Sequence, residues 1–271
     1  MSIALVWYWD RASEIMPYWR DGLRAAVDIL CQKYSVSYYL DKKVPEPGKH
    51  DVILVWGDAQ SPFLAQRQQY ANEKIGVFLS AMPVSYDLLK SVSVVYCESQ
   101  PIYEAVRAQG IHALLAFGTD SSFYNPDDSE KDIEYFYPAT FSPWKKQSSI
   151  AHIGKELLCI GTVQPDGEGE LQACRDGGVQ VEIGYFPAEK IRNYYRRAKR
   201  VIVPAIHGSE RTVLESMSMN IVPDVIEKEI NNKAYSYIQE YKLSEYLFPR
   251  DFILRRYSAK QYVEQIVKGI L

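Results

Sequence analysis

Uninterrupted apolar runs of strand length recur through the first half of the chain: "IALVWYW" at the start, then "VSYYL", "DVILVW", "KIGVFLS", "VSVVYCES" and "HALLAF". Runs without polar alternation belong to strands covered on both faces, as in a parallel sheet. Between them lie helix-length segments such as "YWRDGLRAAVDILCQKY", in which Leu23, Ala26, Val27 and Leu30 recur at helical spacing. The pattern predicts βαβ alternation.

A polar stretch, "GTDSSFYNPDDSEKD", interrupts this at residues 118–132, and the alternation then resumes. "IEYFYPA", "ELLCIG", "VQVEIGYF", "VIVPA" and "NIVPDVI" read as strands, with helices expected around 145–155, 168–177, 187–199, 209–219 and 232–241. The last segment, "SAKQYVEQIVKGIL", predicts an amphipathic helix with Tyr262, Ile266 and Ile270 on one side. The expected domains are 1–130, 131–257 and a C-terminal helix at 258–271 that can pack back on the first. A chain of 271 residues suits two cores of about 130 residues better than one. Two doubly wound domains facing each other form a cleft beyond the carboxyl ends of their strands, so chemistry is expected in the loops that follow strands.

Composition narrows the classes. Hydrophobic residues at 47% and charged residues at 24% are ordinary for a globular protein and argue against disorder. A net charge of −3 exerts no global pull on nucleic acid, although "KIRNYYRRAKR" at 190–200 is a local basic run, read first as a solvated helix face. Cys31, Cys97, Cys159 and Cys174 form no C-x-x-C pair, which argues against a zinc ribbon or redox motif. No secretory leader and no run of 18 apolar residues is found, so the cytoplasm is the expected location.

The run "VPAIHGSERTVLESMSMNIVPDV" resembles the strand, loop and helix of retaining glycosyltransferases of the GT-B fold, similar to family 4. In that family a Glu stands eight residues before the helical Glu; here that place is His207, and Glu215 is the second member of the E-x7-E pair. "GTDSSFYNP" resembles the Gly-Val-Asp-x-x-x-Phe-x-Pro passage of such enzymes. "ATFSPWKK" is similar to their phosphate-binding segment, keeping Lys145 but with Thr140 where an Arg normally stands. "GYFPAEKIRNYYRRAKRVIVPA", with Tyr185, resembles the passage from the nucleotide-base loop into the motif strand, and "PYWRDGLRAAVDIL" the loop in which a Gly amide, here Gly22, approaches the donor phosphates. The pieces occur in order over most of the chain. The fold class implied is α/β, with two doubly wound Rossmann-like domains facing a cleft.

Transfer from a nucleotide-diphosphate sugar needs fixed positive character where charge develops on the leaving phosphates. Lys145 supplies a full charge. The turn Gly208, Ser209 and Glu210, followed by the N–H groups of Arg211, Thr212 and Val213, supplies a bend and helix-end dipoles. Glu215 can accept both ribose hydroxyls, and Arg211 can pair with a phosphate or with a neighbouring acid. His207 would meet the transferred sugar, where an imidazole can also donate. The resemblance implies retention and an oxocarbenium-like transition state. Asp10 and Asp58 are the candidates for orienting an acceptor hydroxyl, and each can equally be a loop acid capping a turn. Trp9, Arg11, Trp19 and Arg20 are expected on the acceptor side, whereas Trp7 reads as strand core.

No Asp-x-Asp triplet occurs, so metal independence is expected, with no cofactor and a UDP-sugar as co-substrate. The acceptor is open: a glycan, a lipid, a small metabolite or a hydroxymethylated pyrimidine in DNA. Two other classes are a nucleotide-sugar epimerase and a catalytically decayed module that holds a nucleotide sugar. Oligomeric state is not legible.

Overall fold

The computed structural model describes residues 1–8, 10, 12–16, 20–56, 62–80, 83, 85–205, 210–227, 229–230, 233–234 and 248–270. In chain order the elements are β1 (Ser2–Trp7), α1 (Ala12–Ile15), α2 (Gly22–Leu30), β2 (Ser35–Tyr39), β3 (Val52–Trp56), α3 (Pro62–Ala65), β4 (Lys74–Leu79), β5 (Val94–Cys97), α4 (Gln100–Ala108) and β6 (Ala113–Leu115). There follow β7 (Ile133–Pro138), β8 (Leu157–Gly161), α5 (Glu168–Asp176), β9 (Gln180–Ile183), α6 (Ala188–Arg197), β10 (Ala198–Ala205), α7 (Arg211–Ser218) and β11 (Asp224–Glu227). A short pair β12 (Glu229–Ile230) and β13 (Lys233–Ala234), then α8 (Pro249–Arg256) and α9 (Ala259–Ile270), complete the chain.

The chain divides into two compact units, one made of Met1–Pro17, Gly22–Gly118 and Ala259–Leu271, the other of Tyr18–Asp21 and Thr119–Ser258. The division falls after Gly118, not near residue 130. The polar stretch beyond it is built into the second unit: Asp120 accepts from the Ser122 hydroxyl at 2.6 Å and the Phe123 amide at 3.2 Å, and Tyr124 is buried.

The first unit is a six-stranded parallel sheet in the order β2-β1-β3-β4-β5-β6. Strands β1, β3, β4 and β5, inside the sheet, are buried along most of their length, as their continuous apolar runs predict, whereas the edge strands β2 and β6 are largely half-exposed. Helix α2 buries Leu23, Ala26, Val27 and Leu30. Helix α9 packs against α2 and the β4–β6 side. There Tyr96 stacks on Phe78 at 4.9 Å and donates its hydroxyl to the Ile266 carbonyl at 2.7 Å, while Tyr262 meets Phe78 edge-on at 6.0 Å.

The second unit is a five-stranded parallel sheet in the order β11-β10-β7-β8-β9. Two local expectations differ. The helix expected at 145–155 is a 3-10 segment, Gln147–Glu156, broken where Gly154 takes φ 68°. Where a helix was expected from residue 232, Lys233–Ala234 pairs antiparallel with Glu229–Ile230; the rest of that stretch lies outside the described residues. Cys97, Cys159 and Cys174 are buried thiols and Cys31 is exposed.

Candidate functional site

In an open parallel sheet the binding crevice lies at the carboxyl ends of the two strands between which chain order reverses. In the second sheet those strands are β7 and β10, in the first β1 and β3. The loop after β7 carries Lys145, and the segment after β10 carries Glu210, Arg211 and Glu215.

The loop after β7 is held against the exit of β8. The Phe141 amide donates to the Thr162 carbonyl at 2.8 Å, and the Gln164 amide to the Phe141 carbonyl at 3.1 Å. Thr140, which stands at the place of the expected Arg, shares a hydroxyl contact with Thr162 at 3.1 Å. Gly161 is required here: a side chain on it would collide with the Ala139 carbonyl. Gln147 donates to the Thr140 carbonyl at 2.8 Å and closes the loop. Two adjacent lysines then reach outward. Lys145 Nζ lies 2.6 Å from Glu210 Oε2, and Lys146 Nζ donates to Glu227 Oε2 at 2.7 Å.

Lys145, expected to supply a full charge to the donor phosphates, has a counter-ion within the protein, the buried Glu210. Glu210 caps α7 from a left-handed backbone, φ 44° and ψ 71°, without a side-chain capping bond. The Val213 amide donates to the Glu210 carbonyl at 3.1 Å, so it is engaged within the helix and is not held ready for an anion. Thr212 donates to the Pro138 carbonyl at 3.3 Å, joining α7 to the end of β7. The Tyr137 and Ser142 hydroxyls are buried in the same region with no protein hydrogen-bond partner among the described residues.

Glu215 lies on the second turn of α7 and is 9% exposed. Tyr195, a buried residue of α6, donates its hydroxyl to Glu215 Oε2 at 3.0 Å, and its ring meets Phe136 and Tyr124 edge-on at 5.2 Å and 5.9 Å. Burial pushes the Glu215 carboxyl up to about 7, against the opposing pull of the Arg211 guanidinium and the Tyr195 hydroxyl; Asp21 and Glu210 push the same way as burial. Arg211 resolves toward an acid: its Nη1 lies 3.1 Å from Asp21 Oδ2. Asp21 and Asp120 were not singled out in the sequence. Each holds an arginine, Arg211 and Arg20 respectively, the latter with Nε 2.7 Å from Asp120 Oδ2.

The other described candidates belong to separate elements of the two units. Tyr185, beyond β9, is 68% exposed. Gly22 is the buried first residue of α2. Asp10 is exposed and paired with Lys42 at 2.6 Å through Oδ2. Trp7 is strand core and meets Trp56 with ring centroids 4.6 Å apart. Trp9, Arg11, Trp19, Asp58, His207, Gly208 and Ser209 lie outside the described residues.

The basic run on α6 and β10 is largely neutralised. Lys190 pairs with Glu182, Arg196 with Asp127, Arg197 with Asp132 and Lys199 with Glu134, all within 3.0 Å. Arg192 stacks over Phe123 at 4.4 Å. Among the described residues no group of three or more His, Cys, Asp or Glu side chains is arranged to hold a metal ion, and no helix is long and apolar enough to cross a membrane.

No family model matches the chain, and no curated protein matches it in sequence. Solved structures match it in fold. Anabaena HepE, in complex with UDP and glucose, superposes with a TM-score of 0.69 at 12% identity, covering 99% of this chain and 98% of that one. Sucrose-phosphate synthase from Thermosynechococcus elongatus gives 0.68 at 12% identity, covering 99% and 98%. AviGT4, a glycosyltransferase involved in avilamycin A biosynthesis, gives 0.66 at 14% identity, covering 99% and 96%. HepE has also been solved with UDP-glucose. The chain has the GT-B fold.

Proposed function

We propose that this GT-B protein is a glycosyltransferase that takes a sugar from a nucleotide-diphosphate donor, a UDP-sugar, and passes it to an acceptor hydroxyl with retention of configuration. One observation carries the reading. At the switch point of the second sheet, Lys145 from the loop after β7 meets Glu210 at the start of α7, the helix that also carries Arg211 and the buried carboxyl of Glu215.

As the bond to the sugar breaks, negative charge grows on the departing diphosphate, and catalysis needs positive charge already in position there. Lys145 and the N-terminal end of α7 supply it. Glu215 accepts the two ribose hydroxyls, and exposed Tyr185 offers a face to the base. Retention follows if the departing phosphate takes the acceptor proton, which asks little acid or base chemistry of the protein. His207 is assigned to the transferred sugar, and Asp10, Asp58, Trp9, Arg11, Trp19 and Arg20 to the acceptor side. Gly22, Gly208, Ser209 and Thr212 complete the donor set, whereas the Val213 amide, already bonded to the Glu210 carbonyl, is left out of it. The reaction is proposed to be independent of metal, because the sequence holds no Asp-x-Asp triplet to bridge a metal to the diphosphate. The neutralised cations of α6 favour a glycan, lipid or small-molecule acceptor over DNA.

Calorimetric titration with UDP, followed by an assay of slow donor hydrolysis across UDP-sugars, tests the reading. UDP is expected to bind, one UDP-sugar to hydrolyse slowly with or without a chelator, and Lys145→Gln to weaken UDP by about tenfold or more. Absence of UDP binding by the parent refutes it; tight binding with no hydrolysis of any donor favours a binding module instead.

A further inference from the structure

The ammonium that the donor reading needs is already occupied. Lys145 Nζ and Glu210 Oε2 are 2.6 Å apart, with the Glu210 side chain only 2% exposed and that of Lys145 20% exposed. The pair joins two loops 65 residues apart in sequence, at the point where a phosphate would be held. Glu210 also stands in a left-handed conformation that a glycine adopts without strain and a glutamate does not. Its carboxylate makes no capping bond to α7. What this position uses is therefore the side chain, and what the side chain does is neutralise Lys145.

Resting on the donor reading above, we propose that the Glu210 carboxylate is a built-in competitor of the donor diphosphate: it holds Lys145 in the unliganded protein and yields it when phosphate arrives. One anion replaces another on the same ammonium. Lys145 is thus never left partly buried without a counter-charge, an arrangement that would be costly. The exchange lowers donor affinity by the strength of the internal pair and makes phosphate binding conditional on moving Glu210 at the start of α7. No bond is made or broken in the exchange; only the partner of Lys145 changes.

The test compares the parent with Glu210→Gln, which keeps shape but loses charge, and with Glu210→Gly, which suits the left-handed backbone. Three probes are titrated: UDP, inorganic diphosphate and uridine. The expected result is about tenfold tighter binding of UDP and of diphosphate to both variants, with uridine unchanged and the unliganded Glu210→Gln protein melting below the parent. If the parent binds UDP but the variants bind it equally or more weakly, the competitor role is overturned and the donor reading stands. An equal gain with uridine also overturns it, because the effect would then not lie at the phosphates. If neither parent nor variants bind UDP or diphosphate, the donor reading fails and this proposal with it.

Discussion

Tyr195 donates its hydroxyl to Glu215 Oε2 at 3.0 Å inside the second unit, with both side chains buried. One hydrogen bond does not offset the removal of a carboxylate from water, and the carboxyl is pushed up to about 7 as a result. Perturbed carboxyls of this kind gather at functional sites, which accords with the ribose role proposed for Glu215.

The sign of the pH effect follows. A folded-state value near 7 against an ordinary value of 4.5 means the folded protein binds the Glu215 proton more tightly than the unfolded chain does. Stability from this group is therefore undiminished below pH 4.5, falls as pH rises toward 7, and is lowered by about 3 kcal/mol above that. Glu215→Gln, whose amide oxygen can still accept from Tyr195, should melt near the parent at pH 4.5 and above it at pH 8, while binding UDP more weakly. A melting difference that does not change between those two pH values would remove the buried-carboxylate account.

Arg211 is the foremost influence holding the Glu215 carboxyl down against burial. Arg211→Gln should move the Glu215 titration upward, and NMR of the labelled carboxyl reads this directly. If Glu215 accepts the ribose hydroxyls, its charged form is the better acceptor. UDP affinity should then rise through pH 7 in the parent, and the rise should begin at higher pH in the variant. A profile unmoved by the substitution would separate Arg211 from Glu215.

The first sheet was legible because its inner strands are continuous apolar runs, and Trp7 as core because it sits in such a run. The second sheet, with strands such as Gln180–Ile183 and Asp224–Glu227 that mix apolar and charged residues, was legible more from its alternation with helices. Lys145 and Glu215 stood out through a local pattern. Their surroundings did not: Glu210 reaches Lys145 across 65 residues, and Asp21 reaches Arg211 across 190. The basic run at 190–200 looked like a charged face for the same reason, since its acids come from Asp127, Asp132, Glu134 and Glu182 on other segments. Local periodicity reports which face of an element is buried, not which distant charge closes on it. The 3-10 segment at Gln147–Glu156 escaped because its break depends on Gly154 at positive φ, a choice a helical pattern does not reveal.

Gly269 on α9 lies against the ring of Tyr96. A Cβ there would stand 2.7 Å from the Tyr96 hydroxyl and 2.8 Å from Leu114 Cδ1. Tyr96 cannot swing aside, because its ring stacks on Phe78 and its hydroxyl is bonded to the Ile266 carbonyl. Gly269→Ala should therefore destabilise by about 1–3 kcal/mol despite the better helix propensity of alanine. In a Tyr96→Phe background the penalty should shrink, since the nearest atom is gone. Denaturant melts of the four proteins measure the coupling, and strict additivity would mean that α9 shifts freely on the sheet.

Arg250, at the start of α8, spends its guanidinium on carbonyl oxygens. Nη1 donates to Tyr124 at 2.9 Å and Ser218 at 2.7 Å, and Nη2 to Ser121 at 2.9 Å. It thereby ties the loop at 121–124 to the end of α7, the helix that carries Arg211 and Glu215. Truncation to Ala leaves these acceptors short of donors in a partly buried place and should cost about 2–4 kcal/mol in a denaturant melt. Lysine cannot replace the planar fork, so Arg250→Lys should recover only part of the loss. Because the guanidinium holds the far end of α7 and does not touch the proposed nucleotide, UDP affinity of the folded variants should fall less than their stability. A variant of full stability with abolished UDP binding would instead put Arg250 in the binding site itself.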